Sequence, residues 1–216
     1  TRYYLNGIYL HATNAGGTEV MRAVATDGHR LARVEITLPS GAAGMPGIII
    51  PRKTVAEIRK LIDETESDIT VSLSETKLKF AFGDAVLKSK LIDGTFPDYE
   101  RVIPATLKNV VALNRAALLQ SMVRAAILTN EKFRGVRLVL SPGSLKIMAA
   151  NAEQEEAQEE IEVDYNGDPL DVGFNVSYLL DVLNNTSVEG VEWGFNDANS
   201  SALLTIPGND RFKYVV

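Results

Sequence analysis

IIIPRKTVAEIRKLI, residues 48–62, reads as a strand running into a short helix, with Val55, Ile58 and Ile62 on one side and Lys53, Arg59 and Lys60 on the other. DVGFNVSYLLDVL, residues 171–183, reads the same way about 125 residues later. Each is followed by alternating strands, ITVSLSETKLKFAF (69–82) and VEWGFNDANSSALLTI (191–206). Upstream, NGIYLHA (6–12) corresponds to RGVRLVL (134–140), and VMRAVATDGHRLARVEI (20–36) to LKIMAANAEQEEAQEEI (145–161). A repeat this long marks whole duplicated domains, because solenoid units run at roughly 20–50 residues. Duplicated architecture serves a symmetric scaffold better than a single catalytic cleft.

The elements between these anchors give an α+β chain of antiparallel sheet with a few helices on one face, built twice. Leu78, Phe80 and Phe82 alternate with Lys77, Lys79 and Ala81, as a half-buried strand requires. NRAALLQSMVRAAIL (114–128) is the clearest helix, capped by Asn114. Its Gln120, Ser121 and Arg124 form a polar stripe, leaving Leu118, Leu119, Met122 and Ile127 for burial. DGTFPDYERVIPAT (93–106) carries two prolines and no periodicity, which reads as a linker and divides the chain into domains at 1–105 and 106–216. The first residues read as strand, TRYYLNGIYL, and so do the last, RFKYVV. Both ends look cut, so a piece of a longer protein is expected.

Composition excludes several classes. With no cysteine there are no disulfides or thiolate metal sites. No apolar run approaches the roughly 18–20 residues that cross a bilayer. A net charge of −6 argues against coating nucleic acid with the whole surface, and leaves room for a local basic face on the helices, where Arg115 and Arg124 add to the residues of 48–62. The two histidines, His11 and His29, stand in no metal-binding spacing. His29 with Asp27, in ATDGHRLA, could be a base and its orienter, but no nucleophile elbow, P-loop or dinucleotide fingerprint accompanies them. The acidic run 153–163 reads as a solvated strand edge, and Trp193 and Phe195 as core. Tyr3 and Tyr4 are adjacent in what reads as a strand, so one should leave the core, either as an ordinary amphipathic tyrosine or as a group that stacks on bases or binds phosphate.

Several segments together resemble one family, the bacterial DNA sliding clamp (the beta subunit of DNA polymerase III). They are RYYLNGIYL, VATDGHRLA, IPRK, SKLIDGTFPDYERVIP, AAILTNEKFRGVRL, AANAEQEEA, GFNVSYLLDVL and the closing YVV. The resemblance implies a ring of similar domains, each of two similar halves with outer sheets and inner helices, closed head to tail by two chains around duplex DNA. This chain matches most of the middle clamp domain and nearly all of the last. It lacks the first domain, the opening helix region of the second and the family's short tail. The fragment is therefore expected to be monomeric, although the full-length protein forms a homodimer.

No cofactor, no metal and no catalytic residue are implied, and the expected location is cytoplasmic, away from membranes. Resemblance places Arg2, Tyr3 and Tyr4 on a DNA-contacting loop, and Arg52, Lys53, Arg59 and Arg124 are added as candidate channel residues. Phosphate contacts of this kind position DNA without reading sequence, and a net-acidic exterior would limit wrapping of DNA outside the ring.

The resemblance also implies a groove that captures short linear motifs of polymerase subunits, clamp loader and repair proteins. It carries this role onto Leu5, Thr26, Gly28, His29, Arg30, Leu31, Pro97, Arg101, Val102, Asn175, Tyr178, Ser201, Val215 and Val216. Leu5, Leu31, Val102, Val215 and Val216 would wall an apolar pocket, and His29, Arg30 and Arg101 would form its polar rim. Leu31→Asp or Val216→Asp should abolish capture. Two other readings stand beside this one: an α+β enzyme with a site around His29, and a structural module whose repeats only assemble.

Overall fold

The computed structural model describes residues 2–216, which divide into two compact units between Tyr99 and Glu100. The first unit contains β1 (Gly7–Ala15), β2 (Thr18–Thr26), β3 (Leu31–Thr37), β4 (Ile48–Pro51), α1 (Arg52–Asp63), β5 (Thr70–Leu73), β6 (Lys77–Phe82) and β7 (Ala85–Lys90). The second contains β8 (Asn109–Asn114), α2 (Arg115–Ile127), β9 (Gly135–Ser141), β10 (Ser144–Ala150), β11 (Glu156–Glu162), β12 (Leu170–Asn175), α3 (Val176–Asn184), β13 (Gly190–Phe195), β14 (Leu203–Ile206) and β15 (Asn209–Val215).

The long repeat is visible in the strand order. The first unit runs β4-β1-β2-β3, and the second runs β12-β9-β10-β11. Within each run the pairing is antiparallel. β5-β6-β7 in the first unit corresponds to β13-β14-β15 in the second, where β8 also pairs with β13. A shorter period lies underneath. Three strands that each lead directly into a helix begin at Ile48, Asn109 and Leu170, 61 residues apart each time.

The helices start in the same way. The first backbone N–H of α1, Arg52, donates to Asn6 O at 3.0 Å. That of α2, Arg115, donates to Glu189 O at 2.9 Å, and that of α3, Val176, to Arg134 O at 2.7 Å. In every case the acceptor immediately precedes a glycine that opens a strand: Gly7, Gly190 or Gly135. One of the orphan donors at each helix start is thus satisfied by the neighbouring strand. Side-chain caps add to this at two helices. Asn114 accepts from Ala117 N at 2.9 Å, and Asn175 accepts from Ser177 N at 2.9 Å, whereas α1 begins after Pro51 with no side-chain cap.

In the first unit α1 lays Ile58 among Ile48 and Ile50 of β4 and Leu78, Phe80 and Phe82 of β6. Each fully buried side chain of this size contributes roughly 1.5–3 kcal/mol. In the second, α2 packs on α3 and across β10 and β11. Its buried stripe is Leu118, Ser121, Met122, Ala125 and Ala126. Two sequence expectations fail here: Ser121 is buried, and Ile127 is 76% exposed. The small side chains at 121, 125 and 126 face the neighbouring elements, which turns 127 outward.

Two other segments differ from their sequence reading. Tyr3–Leu5 is a 3-10 turn, and the strand starts only at Gly7, so Tyr3 and Tyr4 do not alternate across a sheet. The aperiodic stretch 93–106 is anchored through its aromatic rings. Phe96 is buried and stacks on Tyr9 with centroids 4.8 Å apart, and the Tyr99 hydroxyl lies 2.8 Å from His11 Nε2 and accepts from Arg22 Nη1 at 3.2 Å. Anchoring by isolated rings leaves no periodic trace in sequence.

Candidate functional site

The hairpin turn between β2 and β3 carries five of the residues singled out from sequence. Thr26 pairs with Leu31 at the turn's base, and Thr26 Oγ1 both donates to Arg30 O (2.7 Å) and accepts from Gly28 N (3.2 Å). Asp27 Oδ1 accepts from the backbone N–H of His29 (2.9 Å) and of Arg30 (3.1 Å), while Oδ2 accepts from Arg30 Nε at 3.2 Å. Partial burial pushes the Asp27 carboxyl up, but these donors outweigh it and hold it below the usual carboxylate range. Gly28 has φ +90°, in the left-handed region, with open space around the site of a Cβ, so its role is conformational. The turn is a fixed platform that exposes the His29 side chain.

This geometry removes the catalytic pairing considered for His29. Both Asp27 oxygens serve their own turn, and neither orients the imidazole. Among the described residues no group of three or more His, Asp or Glu side chains could hold a metal ion.

At the amino-terminal 3-10 turn, Arg2 Nη1 donates to Tyr4 Oη at 2.7 Å, which with the nearby ring raises the guanidinium pKa further. Tyr3 meets Tyr4 edge to face at 5.5 Å and is 67% exposed. A Cβ on Gly94 would stand 2.9 Å from Tyr4 Cβ, so that glycine admits the turn. Leu5 is half-buried beside it. The structure thus brings Arg2, Tyr3 and Tyr4 together.

The helices separate their basic residues into working and structural ones. Arg52, Lys53 and Arg59 on α1 are exposed and make no ion pair among the described residues, while Lys60 Nζ pairs with Glu57 at 3.2 Å. On α2, Arg124 is held by Glu159 of β11, with Nη2–Oε2 at 2.7 Å and Nε–Oε1 at 2.9 Å, which halves its value as a free cation. Arg115 donates to Leu183 O and Val188 O and so closes the C-terminal end of α3.

In the second unit, Arg101 and Val102 sit in the 3-10 turn Tyr99–Val102, with Val102 51% exposed. Asn175 is the α3 cap already described. The Tyr178 carbonyl one turn later accepts from Tyr214 Oη at 2.8 Å. Val216 pairs with Ala202 through both backbone groups, at 2.8 and 3.1 Å, next to exposed Ser201. Leu31 and Val215 are only 3% and 4% exposed, so Leu31→Asp would bury a charge and test folding rather than capture. Pro97 is exposed in the first unit.

Sequence reasoning missed a buried polar cluster in the first unit. Arg22 Nε meets Glu35 Oε2 at 2.7 Å, Arg33 Nη2 lies 3.7 Å from Glu35 Oε1, and all three residues are buried. His11, Arg22 and Glu35 occupy directly opposed positions on β1, β2 and β3. The signal available in sequence was a charge at alternate positions of strands whose other members are apolar.

These features define a class: duplicated antiparallel α+β units whose helices carry exposed cations and whose turns and strand ends present recognition surfaces. Residues 1–98 match the family model for the DNA polymerase III beta subunit, central domain, and residues 100–216 match that for its C-terminal domain. The chain belongs to the DNA polymerase III beta subunit family. It is 45% identical over 216 residues to the beta sliding clamp of Caulobacter vibrioides (strain NA1000 / CB15N), and 47% over 215 residues to that of Pseudomonas putida. Each alignment covers 100% of this chain and 58% of the relative. Among solved structures, a Caulobacter crescentus beta sliding clamp superposes with a TM-score of 0.97 at 45% identity, covering 100% of this chain and 57% of the other. A Pseudomonas aeruginosa clamp bound to griselimycin gives 0.92 at 46% identity, with the same coverages. The chain thus spans a little under three-fifths of the curated relatives it matches.

Proposed function

We propose that this chain is the partner-binding and DNA-facing part of a replication processivity factor. Such a factor encircles duplex DNA as a homodimeric ring and tethers polymerase subunits, clamp loader and repair proteins, with no chemical step of its own. The observation that carries this reading is family membership across both units at 45–47% identity. The exposed cations of α1 and the Arg2–Tyr3–Tyr4 turn suit sequence-neutral phosphate contact. In this role the protein works in the cytoplasm; among the described residues no helix is long and apolar enough to cross a membrane.

Capture of short peptides is assigned to the residues named from the resemblance. The 26–31 platform supports it because a rigid turn with an exposed side chain loses little entropy on binding. The Pseudomonas aeruginosa relative bound to griselimycin supports it as well. The test is fluorescence polarisation of a labelled Gln-Leu-x-Leu-Phe-type peptide on this chain, with Leu and Phe replaced by Ala as the control. Saturable binding near micromolar, roughly −8 kcal/mol, with loss in the control, is expected. Val102→Asp, at an exposed position that costs the fold little, should weaken binding at least tenfold. No binding by folded protein would refute the capture role.

A further inference from the structure

The second face of the β5-β6-β7 sheet has no place in that reading. One face holds Leu78, Phe80 and Phe82 against α1. The other presents Lys77 and Lys79 on β6 and Lys88 and Lys90 on β7, all exposed. Register sets Lys77 directly opposite Lys90 and Lys79 directly opposite Lys88. Opposed side chains of this kind stand about 5 Å apart at Cβ, and alternate residues along a strand about 6.8 Å apart, so four ammonium groups share one small patch. None of the four makes an ion pair among the described residues.

Like charges set directly opposite each other destabilise a sheet, so this arrangement works against folding. Lysines on the edge strand β7 could be explained as protection against edge pairing. Lys77 and Lys79 lie on the central strand β6, where that explanation fails. Nor does the fold require them, since the corresponding strands of the second unit set Glu192 opposite Thr205 and Thr205 opposite Lys213.

We propose that this lysine face is a second, sequence-independent docking surface for the phosphate backbone of duplex DNA, on the side of the sheet away from α1. The rest of the face is Thr70, Ser72, Ala81 and Val86. It offers no aromatic ring to stack unpaired bases, as single-strand binders do, and no apolar pocket to seat peptide side chains. Lysine acts as a point charge without the planar fork that selects carboxylates, and serves phosphates well. Such a patch reverses, locally, the expectation that an acidic chain repels DNA from its outer surfaces. It stands independently of the ring and of peptide capture.

The test titrates a short labelled duplex against the 216-residue chain in which Arg52, Lys53 and Arg59 are replaced by Gln, which removes the α1 contribution. Duplex binding should persist, with a salt slope between about −3 and −4 for four phosphate contacts. Adding Lys77→Gln, Lys79→Gln, Lys88→Gln and Lys90→Gln should remove that slope and weaken low-salt binding at least tenfold. The same substitutions should leave the melting temperature unchanged or higher, because they relieve like-charge pairs. If the fourfold variant melts lower, Lys79→Gln with Lys88→Gln alone should still take about half of the slope. Binding unchanged by the lysine substitutions overturns the proposal, and so does tighter binding of a poly-glutamate peptide or of a single strand than of duplex.

Discussion

Asp27 turns a five-residue loop into a platform by accepting three hydrogen bonds from the residues that follow it. Because its folded pKa is depressed, its stabilising effect is complete above the unfolded value near 3.9 and fades as pH falls through the folded value. Asp27→Asn should therefore lower the urea midpoint at neutral pH, and the difference from wild type should shrink as both are taken to pH 3. A difference that stays constant over that range would mean the charge is irrelevant to the turn. The motif ATDGHRLA was legible in sequence as a turn, but whether Asp27 served His29 or its own backbone was not, since residue identity alone leaves both options open. The Arg22–Glu35 pair was invisible for another reason. Breaking one member of such a buried pair costs about 3–5 kcal/mol, yet the contact joins two strands whose register had first to be known.

Among the elements, strand–helix junctions were the most legible because they combine two periodicities, and the long repeat came straight from them. The 61-residue period was hidden, since only geometry reveals that Asn6, Glu189 and Arg134 do the same work at three helix starts. α2 was misread in part because Ile127 looks like core and Ser121 does not; close packing against α3, β10 and β11 favours the small residue. Asn175 tests how structure and capture overlap. As the α3 cap it should cost about 1 kcal/mol on change to Ala, as should Asn114 on α2. Urea denaturation of both variants should give similar losses, whereas only Asn175→Ala should also weaken the labelled peptide. Equal peptide affinity in the two variants would leave Asn175 a purely structural residue.

For the molecule as a whole, a net charge of −6 makes attraction to DNA a property of particular faces. A protein that slides must not read bases, and nothing on α1 has the bidentate side-chain pattern used for major-groove readout. Its exposed cations, Arg52, Lys53 and Arg59, make no ion pair among the described residues and are free to displace condensed counterions. Two duplexes of equal length and unrelated sequence should therefore bind with affinities within about twofold of each other, as phosphate contact alone dictates. Replacing those three residues by Gln should reduce the salt slope by about 2.7, the value for three lost phosphate contacts. Arg124→Gln should change it far less, because Glu159 already neutralises that guanidinium. A strong preference for one sequence would contradict a sliding role. An Arg124 effect as large as that of an α1 cation would mean that its pair with Glu159 opens when DNA arrives.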